Sequence, residues 1–166
     1  MKRLLVLRHA KAERDSNSGR DFDRPLAERG WKDAANVGRA MRERGLRPDA
    51  IIASPAKRVV ETLAALAEGY GPLEAEYDRR IYNASPETLL DAVRQADDEA
   101  LTLLLVGHDP GLHLLLLDLT RSDDRGLRTQ IEESFPTATL AAVDIAAASW
   151  ADAGPTSGEL ADLIIR

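Results

Sequence analysis

Short apolar runs alternate with amphipathic segments along the chain, and this alternation predicts strands and helices in turn. Four consecutive aliphatic residues at 4–7 suit a parallel strand that is buried on both faces. Similar runs predict strands at 50–53, 101–106, 138–146 and 160–165, with a weaker strand at 74–77. Apolar residues at helical spacing predict helices around 31–41, 59–66, 89–93 and 112–119. Such alternation favours an α/β fold, a three-layer α/β/α domain with a mostly parallel sheet.

Turn-forming residues predict where several of these elements begin and end. Ser54-Pro55 and Ser85-Pro86 are typical helix starts, with Ser as N-cap and Pro in the first turn. Gly45 is expected to end the first helix and Gly69 the second. The buried stripe of the second helix is predicted to hold Val59, Val60, Leu63 and Leu66. Residues 13–25 are polar, with Gly, Ser, Asn and Pro, and predict a long loop of the kind that often carries function.

Composition places the chain among soluble globular proteins and narrows its functions. A length of 166 residues with 44% hydrophobic and 30% charged residues predicts a single domain over 1–166. The chain has no cysteine, which excludes disulfides, thiolate metal sites and cysteine nucleophiles. Its net charge of −6 argues against nucleic acid as a partner. No apolar run is long enough for a signal segment or a membrane span, so we expect no membrane association and a cytoplasmic location.

Two of the predicted strands end in a histidine. Arg8-His9 follows the first strand and Gly107-His108 follows the strand at 101–106. Ligands of open α/β sheets bind at the carboxyl ends of strands. A single histidine in such a position is more often structural, but two of them in one small sheet favour a functional site.

A third element adds positive charge at the same edge of the predicted sheet. Arg58 lies about one turn into the helix that follows the strand at 50–53. Guanidinium groups bind phosphate oxygens bidentately, so Arg8, Arg58 and a helix N-terminus could form a pocket for a dianion. His9 could then act as a nitrogen nucleophile on phosphorus. A protonated His108 could donate a charge-assisted hydrogen bond to a phosphoryl oxygen.

Four motifs in order resemble the histidine phosphatase superfamily. They are Leu7-Arg8-His9-Ala10-Lys11; Asp21-Phe22-Asp23-Arg24-Pro25-Leu26 leading into Arg29-Gly30; Ser54-Pro55 with Arg58 and Thr62; and Gly107-His108-Asp109-Pro110-Gly111. The resemblance runs nearly end to end and is greatest to the small SixA-type phosphohistidine phosphatases. It implies a phosphoglycerate mutase-like fold and covalent catalysis without a metal or other cofactor. By this resemblance His9 becomes phosphorylated, while Arg8, Arg58 and His108 bind the phosphoryl group.

The chain departs from the superfamily pattern at two places. Asp109 stands where many members have Asn; it could orient His108, but Pro110 after it favours a cap on the next helix. Larger relatives carry a glutamate general acid on an insertion, whereas the matching segment 78–85 is short and has no Glu. The imidazole of phosphohistidine leaves more readily than an alkoxide, so this departure favours phosphoramidate substrates.

Other charged residues on the first loop are candidates for the rim of the site. Glu13, Asp21 and Asp23 could still supply an acid. Lys11 and Arg24 could add positive potential at the rim, or could simply be solvated.

The preferred function is removal of phosphate from phosphohistidine on a protein, for instance a phosphorelay domain. Two alternatives remain open: a general phosphomonoesterase acting on a small phosphorylated molecule, and a phosphate-recognition module that turns over poorly. His108-Asp109 with His113 could also suggest a metal-dependent His-Asp phosphohydrolase, but His9 is the only further histidine. We therefore expect His113 on the outer face of its helix.

Overall fold

A six-stranded sheet with helices on both faces forms the frame of the molecule. The computed structural model describes residues 1–123 and 125–166. The strands are β1 (Lys2–Arg8), β2 (Ala50–Ala53), β3 (Glu76–Tyr77), β4 (Thr102–Gly107), β5 (Leu140–Ile145) and β6 (Gly158–Ile164). The helices are α1 (Glu28–Glu43), α2 (Lys57–Tyr70), α3 (Pro86–Arg94), α4 (Gly111–Leu119) and α5 (Leu127–Glu133). Short 3-10 turns lie at Asp21–Asp23, Arg79–Ile81 and Trp150–Asp152.

The strand order brings the carboxyl ends of β1 and β4 side by side. The sheet runs β3-β2-β4-β1-β5-β6, with β3, β2, β4 and β1 parallel and β5 antiparallel to both of its neighbours. In the parallel β1–β4 pair, Arg8 lies opposite Gly107. The residues that follow, His9 and His108, therefore leave the sheet next to each other.

The strands bury apolar side chains on both faces of the sheet, as the continuous aliphatic runs predict. In β1, Leu5 and Leu7 pack into one core with α1 and α2. Leu4 and Val6 point the other way, into a second core with α3, α4 and α5. The predicted three-layer α/β fold with a mostly parallel sheet is confirmed.

Three expectations about α2 are wrong. Its N-cap is Ala56, so Ser54 does not cap the helix and its side chain turns towards the second histidine. Val60 is 39% exposed, because it lies off the buried stripe. Gly69 does not end the helix, which continues to Tyr70. Gly69 instead permits close packing on α1, since a Cβ there would lie 2.0 Å from the Ala35 carbonyl oxygen.

The other predicted boundaries are close to those observed. Ser85 caps α3 by accepting a hydrogen bond from the Thr88 amide, as the Ser-Pro pair predicts. The polar segment 120–136 contains α5, and its residue 124 lies outside the described residues. No helix within 1–123 and 125–166 is long and apolar enough to cross a membrane.

Candidate active site

His9 lies just beyond β1, buried at 9% exposure, with one ring nitrogen fixed by the backbone. Its Nδ1 is 2.8 Å from the carbonyl oxygen of Ala10. Because a carbonyl can only accept a hydrogen bond, Nδ1 carries the proton and Nε2 keeps its lone pair. Burial lowers the pKa of His9 to about 4, and the charges of Arg58 and Arg8 contribute, against the opposing effect of the bond to Ala10. Near neutral pH the ring is therefore uncharged, with a nucleophilic Nε2.

Arg58 connects the two histidines from the first turn of α2. Its guanidinium is almost fully buried, with Nε 3.4 Å from His9 Nε2 and Nη2 3.3 Å from His108 Nδ1. Thr62, one turn later, accepts from the Ala10 amide at 3.0 Å and donates to the Arg58 carbonyl at 2.6 Å. The helix is thus tied to the backbone beside His9, and a fixed positive charge lies between the two imidazoles.

His108 is held in the opposite tautomer by Ser54. Its Nδ1 faces an Arg58 nitrogen, which can only donate, so Nδ1 is the acceptor. The proton then lies on Nε2, which donates to Ser54 Oγ at 2.7 Å. Burial, followed by the charges of Arg58 and His9, lowers the pKa of His108 to about 3. His108 is therefore neutral in this arrangement, although the charge of Asp21 opposes the shift, and the negative charge of a bound phosphoryl group would favour its protonation further.

These tautomers predict a specific NMR result. In two-bond ¹H–¹⁵N spectra between pH 5.5 and 7.5, His9 should appear as the neutral Nδ1–H tautomer and His108 as the neutral Nε2–H tautomer. The pKa values of about 4 for His9 and about 3 for His108 place both titrations below this range, since burial disfavours the charged rings. Single His→Gln variants assign the signals, with His113→Gln as the control. Protonation of either ring with a midpoint near pH 6.5 would contradict the assignment.

Arg8 is the last residue of β1, and its positive charge contributes to the lowered pKa of both His9 and His108. Its side chain is 28% exposed, and Nη1 donates to the Phe135 carbonyl at 3.0 Å. The same nitrogen is 3.5 Å from Asp109 Oδ2. The predicted capping role of Asp109 is wrong, because Pro110 is the N-cap residue of α4 and no side chain caps the helix there. Asp109 pairs with Arg8 instead, and burial raises the pKa of its carboxyl.

Asp21, in the 3-10 turn of the long loop, binds Arg58 at the open side of the site. Its carbonyl oxygen accepts from Arg58 Nη1 at 2.8 Å and its Oδ2 from Nη2 at 3.0 Å. Tyr82 Oη donates to the same Oδ2 at 2.7 Å, and Arg24 Nη1 donates to Oδ1 at 3.0 Å. The hydrogen bond from Tyr82, with those from Arg24 and Arg58, holds the pKa of Asp21 well below its usual value. Asp21 is therefore ionised and poorly suited to donate a proton.

The remaining candidates on the loop lie away from the two histidines. Arg24 is fixed at the rim by Asp21 and by the Glu13 carbonyl oxygen, which its Nε contacts at 2.8 Å. Asp23 turns to Ser18 and Arg20. Lys11 is an exposed side chain on the side of Arg8.

Two residues in contact with the site were not among its predicted residues. Ser54 was expected to cap a helix, yet it fixes His108. Tyr82 comes from the short segment 78–85, bonds Asp21 and lies edge-on to His108, with ring centroids 5.5 Å apart. Ser54 stands in one of the superfamily motifs but was interpreted as a cap, and Tyr82 stands in none. The contacts of both could not be read locally, because their partners are distant in the chain.

His113 takes no part in the site, and its predicted position on an outer face is wrong. Its Nε2 is 2.6 Å from the Ile131 carbonyl oxygen, and its ring stacks on Phe135 with centroids 6.0 Å apart. The helix α5 covers this face of α4. Within the described part of the chain, no group of three or more His, Cys, Asp or Glu side chains could hold a metal ion.

The arrangement matches a known enzyme superfamily. The family model for the histidine phosphatase superfamily (branch 1) matches residues 4–87, the half of the chain that supplies Arg8, His9 and Arg58. The chain belongs to the histidine phosphatase superfamily. An uncharacterised protein of Mycobacterium tuberculosis is 34% identical over 151 residues, covering 90% of this chain and 92% of the relative.

Two solved structures resemble this histidine phosphatase over nearly its whole length. The SixA protein of Agrobacterium tumefaciens, provisionally named a phosphohistidine phosphatase, is 30% identical with a TM-score of 0.82. That match covers 99% of this chain and 98% of the other. The SixA protein of Nakamurella, named in the same way, is 27% identical with a TM-score of 0.79, covering 99% and 95%. The expected phosphoglycerate mutase-like fold and the expected histidine phosphatase activity are confirmed.

Proposed function

We propose that this histidine phosphatase removes phosphate from phosphohistidine on a protein, such as a phosphorelay domain. In this proposal His9 is the nucleophile, and Arg8, Arg58 and His108 bind the phosphoryl group. The geometry supports these roles because His9 is a neutral imidazole whose unprotonated Nε2 faces the buried guanidinium of Arg58, with Nε 3.4 Å away. Phosphoryl transfer depends mainly on positioning and on stabilising negative charge, and these four side chains can provide both.

The first step transfers the phosphoryl group to the enzyme. The Nε2 lone pair of His9 forms a bond to phosphorus while the bond from phosphorus to the substrate imidazole breaks. The electron pair of the broken bond stays on the substrate ring, which leaves as neutral imidazole when its other nitrogen carries a proton. The proton stays on His9 Nδ1 and is donated in a hydrogen bond to the Ala10 carbonyl oxygen, which stabilises the positive charge that develops on the ring.

The second step releases inorganic phosphate. Water attacks phosphorus as the bond to His9 Nε2 breaks, and the electron pair returns to Nε2. The protons of the water pass to phosphate and solvent, which restores neutral His9. The positive charges of Arg58 and Arg8 act on the phosphoryl oxygens in both steps.

The ionised state of Asp21 is the main observation in favour of phosphohistidine as the substrate. Asp21 is the carboxylate that contacts the phosphate-binding Arg58, and three donors hold it in the ionised form. A phosphate ester expels an alkoxide, which needs a proton as the bond breaks. A phosphohistidine needs no such donor on the enzyme, because solvent can protonate the free nitrogen of its ring before the bond breaks.

Asp109 is also unsuited to act as the acid. Burial raises the pKa of this carboxyl, but its Oδ2 faces Arg8 and its Oδ1 is enclosed within the protein. The names of the two SixA structures support the same substrate class.

A pair of matched peptides tests this proposal. One peptide carries phosphohistidine and the other carries phosphoserine at the same position in an otherwise identical sequence. We expect kcat/KM to be at least about a hundredfold higher for phosphohistidine, which corresponds to the lower end of a general acid's contribution. Phosphate release is followed at neutral pH with enzyme-free controls, since phosphohistidine also hydrolyses by itself.

The competing functions give different results in the same assay. Equal rates on both peptides, or faster release from small phosphate esters, would indicate a general phosphomonoesterase. Binding of phosphate without release from any substrate would indicate a recognition module.

A further inference from the structure

A basic groove lies beside the candidate active site, on the side of Arg8. Its volume is about 290 Å³, and its lining consists of Arg8, Lys11, Arg29, Pro136, Thr137 and Arg166. Arg8 belongs to both the groove and the site, since it lines the groove and its charge also contributes to the lowered pKa of His9 and His108. A ligand held near His9 can therefore extend into the groove without leaving the surface of the protein.

The groove keeps an excess of positive charge after its ion pairs are counted. Asp33 lies behind the lining, with Oδ2 3.5 Å from Arg29 and 3.9 Å from Arg166. Asp109 is paired with Arg8 at 3.5 Å. Four basic side chains thus stand against two carboxylate side chains, and no Asp or Glu side chain among the described residues lines the groove itself. This local excess contrasts with the net charge of −6 for the whole chain.

The backbone that positions His9 also builds the walls of the groove. The first turn of α1 packs directly on Lys11, because Gly30 has no Cβ; one would lie 2.2 Å from the Lys11 carbonyl oxygen. The opposite wall is held by Arg166 Nε, which donates to the Thr137 carbonyl at 3.0 Å. The next amide, that of Ala138, donates to the Arg8 carbonyl at 3.1 Å. The groove therefore keeps a fixed position relative to the nucleophile.

We propose that this groove binds acidic side chains that flank the phosphohistidine of a protein substrate. The proposal rests on the proposed function and adds a preference for sequence around the phosphorylated residue. Charge complementarity supports it, because carboxylates are the common anions of a protein surface and guanidinium groups bind them bidentately. In an extended segment, residues two or three positions from the phosphohistidine lie about 7–10 Å away, within reach of a groove that begins at Arg8. The net negative charge of this phosphatase repels an acidic partner at long range. The attraction must therefore come from short-range contacts with the basic groove.

Two phosphohistidine peptides that differ only in charge test the preference. One carries Glu two and three positions to each side of the phosphohistidine, and the other carries Gln at those positions. We expect kcat/KM to be roughly fivefold higher for the Glu peptide at low salt, the combined effect of a few exposed charge pairs. The ratio should fall towards one as NaCl rises from about 50 to 500 mM, because exposed pairs are screened.

Matched variants locate the preference in the protein. In the double variant Lys11→Gln/Arg29→Gln, the ratio between the two peptides should fall close to one. The control Arg39→Gln/Lys57→Gln removes two positive charges elsewhere, since Arg39 lies on the outer part of α1 and Lys57 lines a different cavity, with Asp15 and Asp23. It should keep the ratio of the unmodified protein. All four substituted side chains are exposed. The salt series uses only the unmodified protein, so its result does not depend on how the variants fold.

The outcomes separate this proposal from the one on which it rests. Equal rates on the two peptides would overturn the groove proposal and leave the phosphohistidine phosphatase in place. A preference for Glu that survives in Lys11→Gln/Arg29→Gln would also overturn it, since the preference would then arise elsewhere. Release of phosphate from neither peptide would overturn both proposals.

Discussion

Replacement of His9 by alanine is expected to reduce phosphate release to the rate of the enzyme-free reaction, a loss of at least about 10⁴-fold. The imidazole supplies the atom that bonds to phosphorus, and no other described side chain can take its place. His108 is the nearest other imidazole, but its Nε2–H is donated to Ser54 and its Nδ1 faces Arg58. The same variant should form no phosphoenzyme when it is mixed with substrate, quenched in alkali and analysed by mass spectrometry.

The third histidine provides a matched control for this experiment. His113→Ala removes an identical side chain that contacts Ile131 and Phe135 outside the site. This variant should still form the phosphoenzyme, although the loss of its contacts with α5 should lower the melting temperature. Full activity in His9→Ala, or a phosphoenzyme that maps to another residue, would remove His9 from the role of nucleophile.

Replacement of Arg58 by alanine is expected to lower kcat/KM at least a hundredfold, about 3 kcal/mol of transition-state stabilisation for one preorganised charged donor. Arg58 is buried, and its guanidinium contacts His9, His108 and Asp21. Its removal therefore takes away the charge that faces the phosphoryl oxygens and the contact that orients both imidazoles. Arg58→Lys should recover only part of the loss, because an ammonium keeps the charge without the planar fork.

The neighbouring residue Lys57 serves as the control for charge. It begins α2 beside Arg58 but is exposed and lies outside the site, so Lys57→Ala should stay within about twofold of the unmodified protein, as is usual for exposed charges. Melting curves for each variant separate loss of folding from loss of catalysis. A folded Arg58→Ala protein that loses less than about tenfold would contradict the assignment.

The parts of the molecule that follow from local pattern were predicted well from the sequence. The aliphatic runs of β1 and β4 indicated buried parallel strands, and rules of strand connection place their carboxyl ends at one edge. The structure brings His9 and His108 together there, with ring centroids 5.3 Å apart. The Ser-Pro start of α3 was also correct, because a cap depends on residues only three positions apart.

Apart from Val60 and Gly69 in α2, the errors concern polar side chains whose partners are distant in sequence. Ser54 and Asp109 each had a plausible local role as a cap, but Ser54 bonds His108, 54 positions away, and Asp109 pairs with Arg8. His113 was expected at the surface, and α5 covers it. Capping rules apply when the only hydrogen-bond partners within reach of a side chain are the backbone groups of its own helix. Near the site, contacts between elements offered these side chains better-placed partners.

The hydrogen bonds between Asp21 and Arg58 have a consequence for the end of the catalytic cycle. Two nitrogens of Arg58 already donate hydrogen bonds to Asp21, so an arriving phosphoryl group must share this guanidinium or displace the carboxylate. The same competition acts on the inorganic phosphate that remains after hydrolysis. A tethered carboxylate at high effective concentration can replace a departing anion without waiting for one from solution. We expect this exchange to weaken inhibition of the enzyme by its inorganic phosphate product.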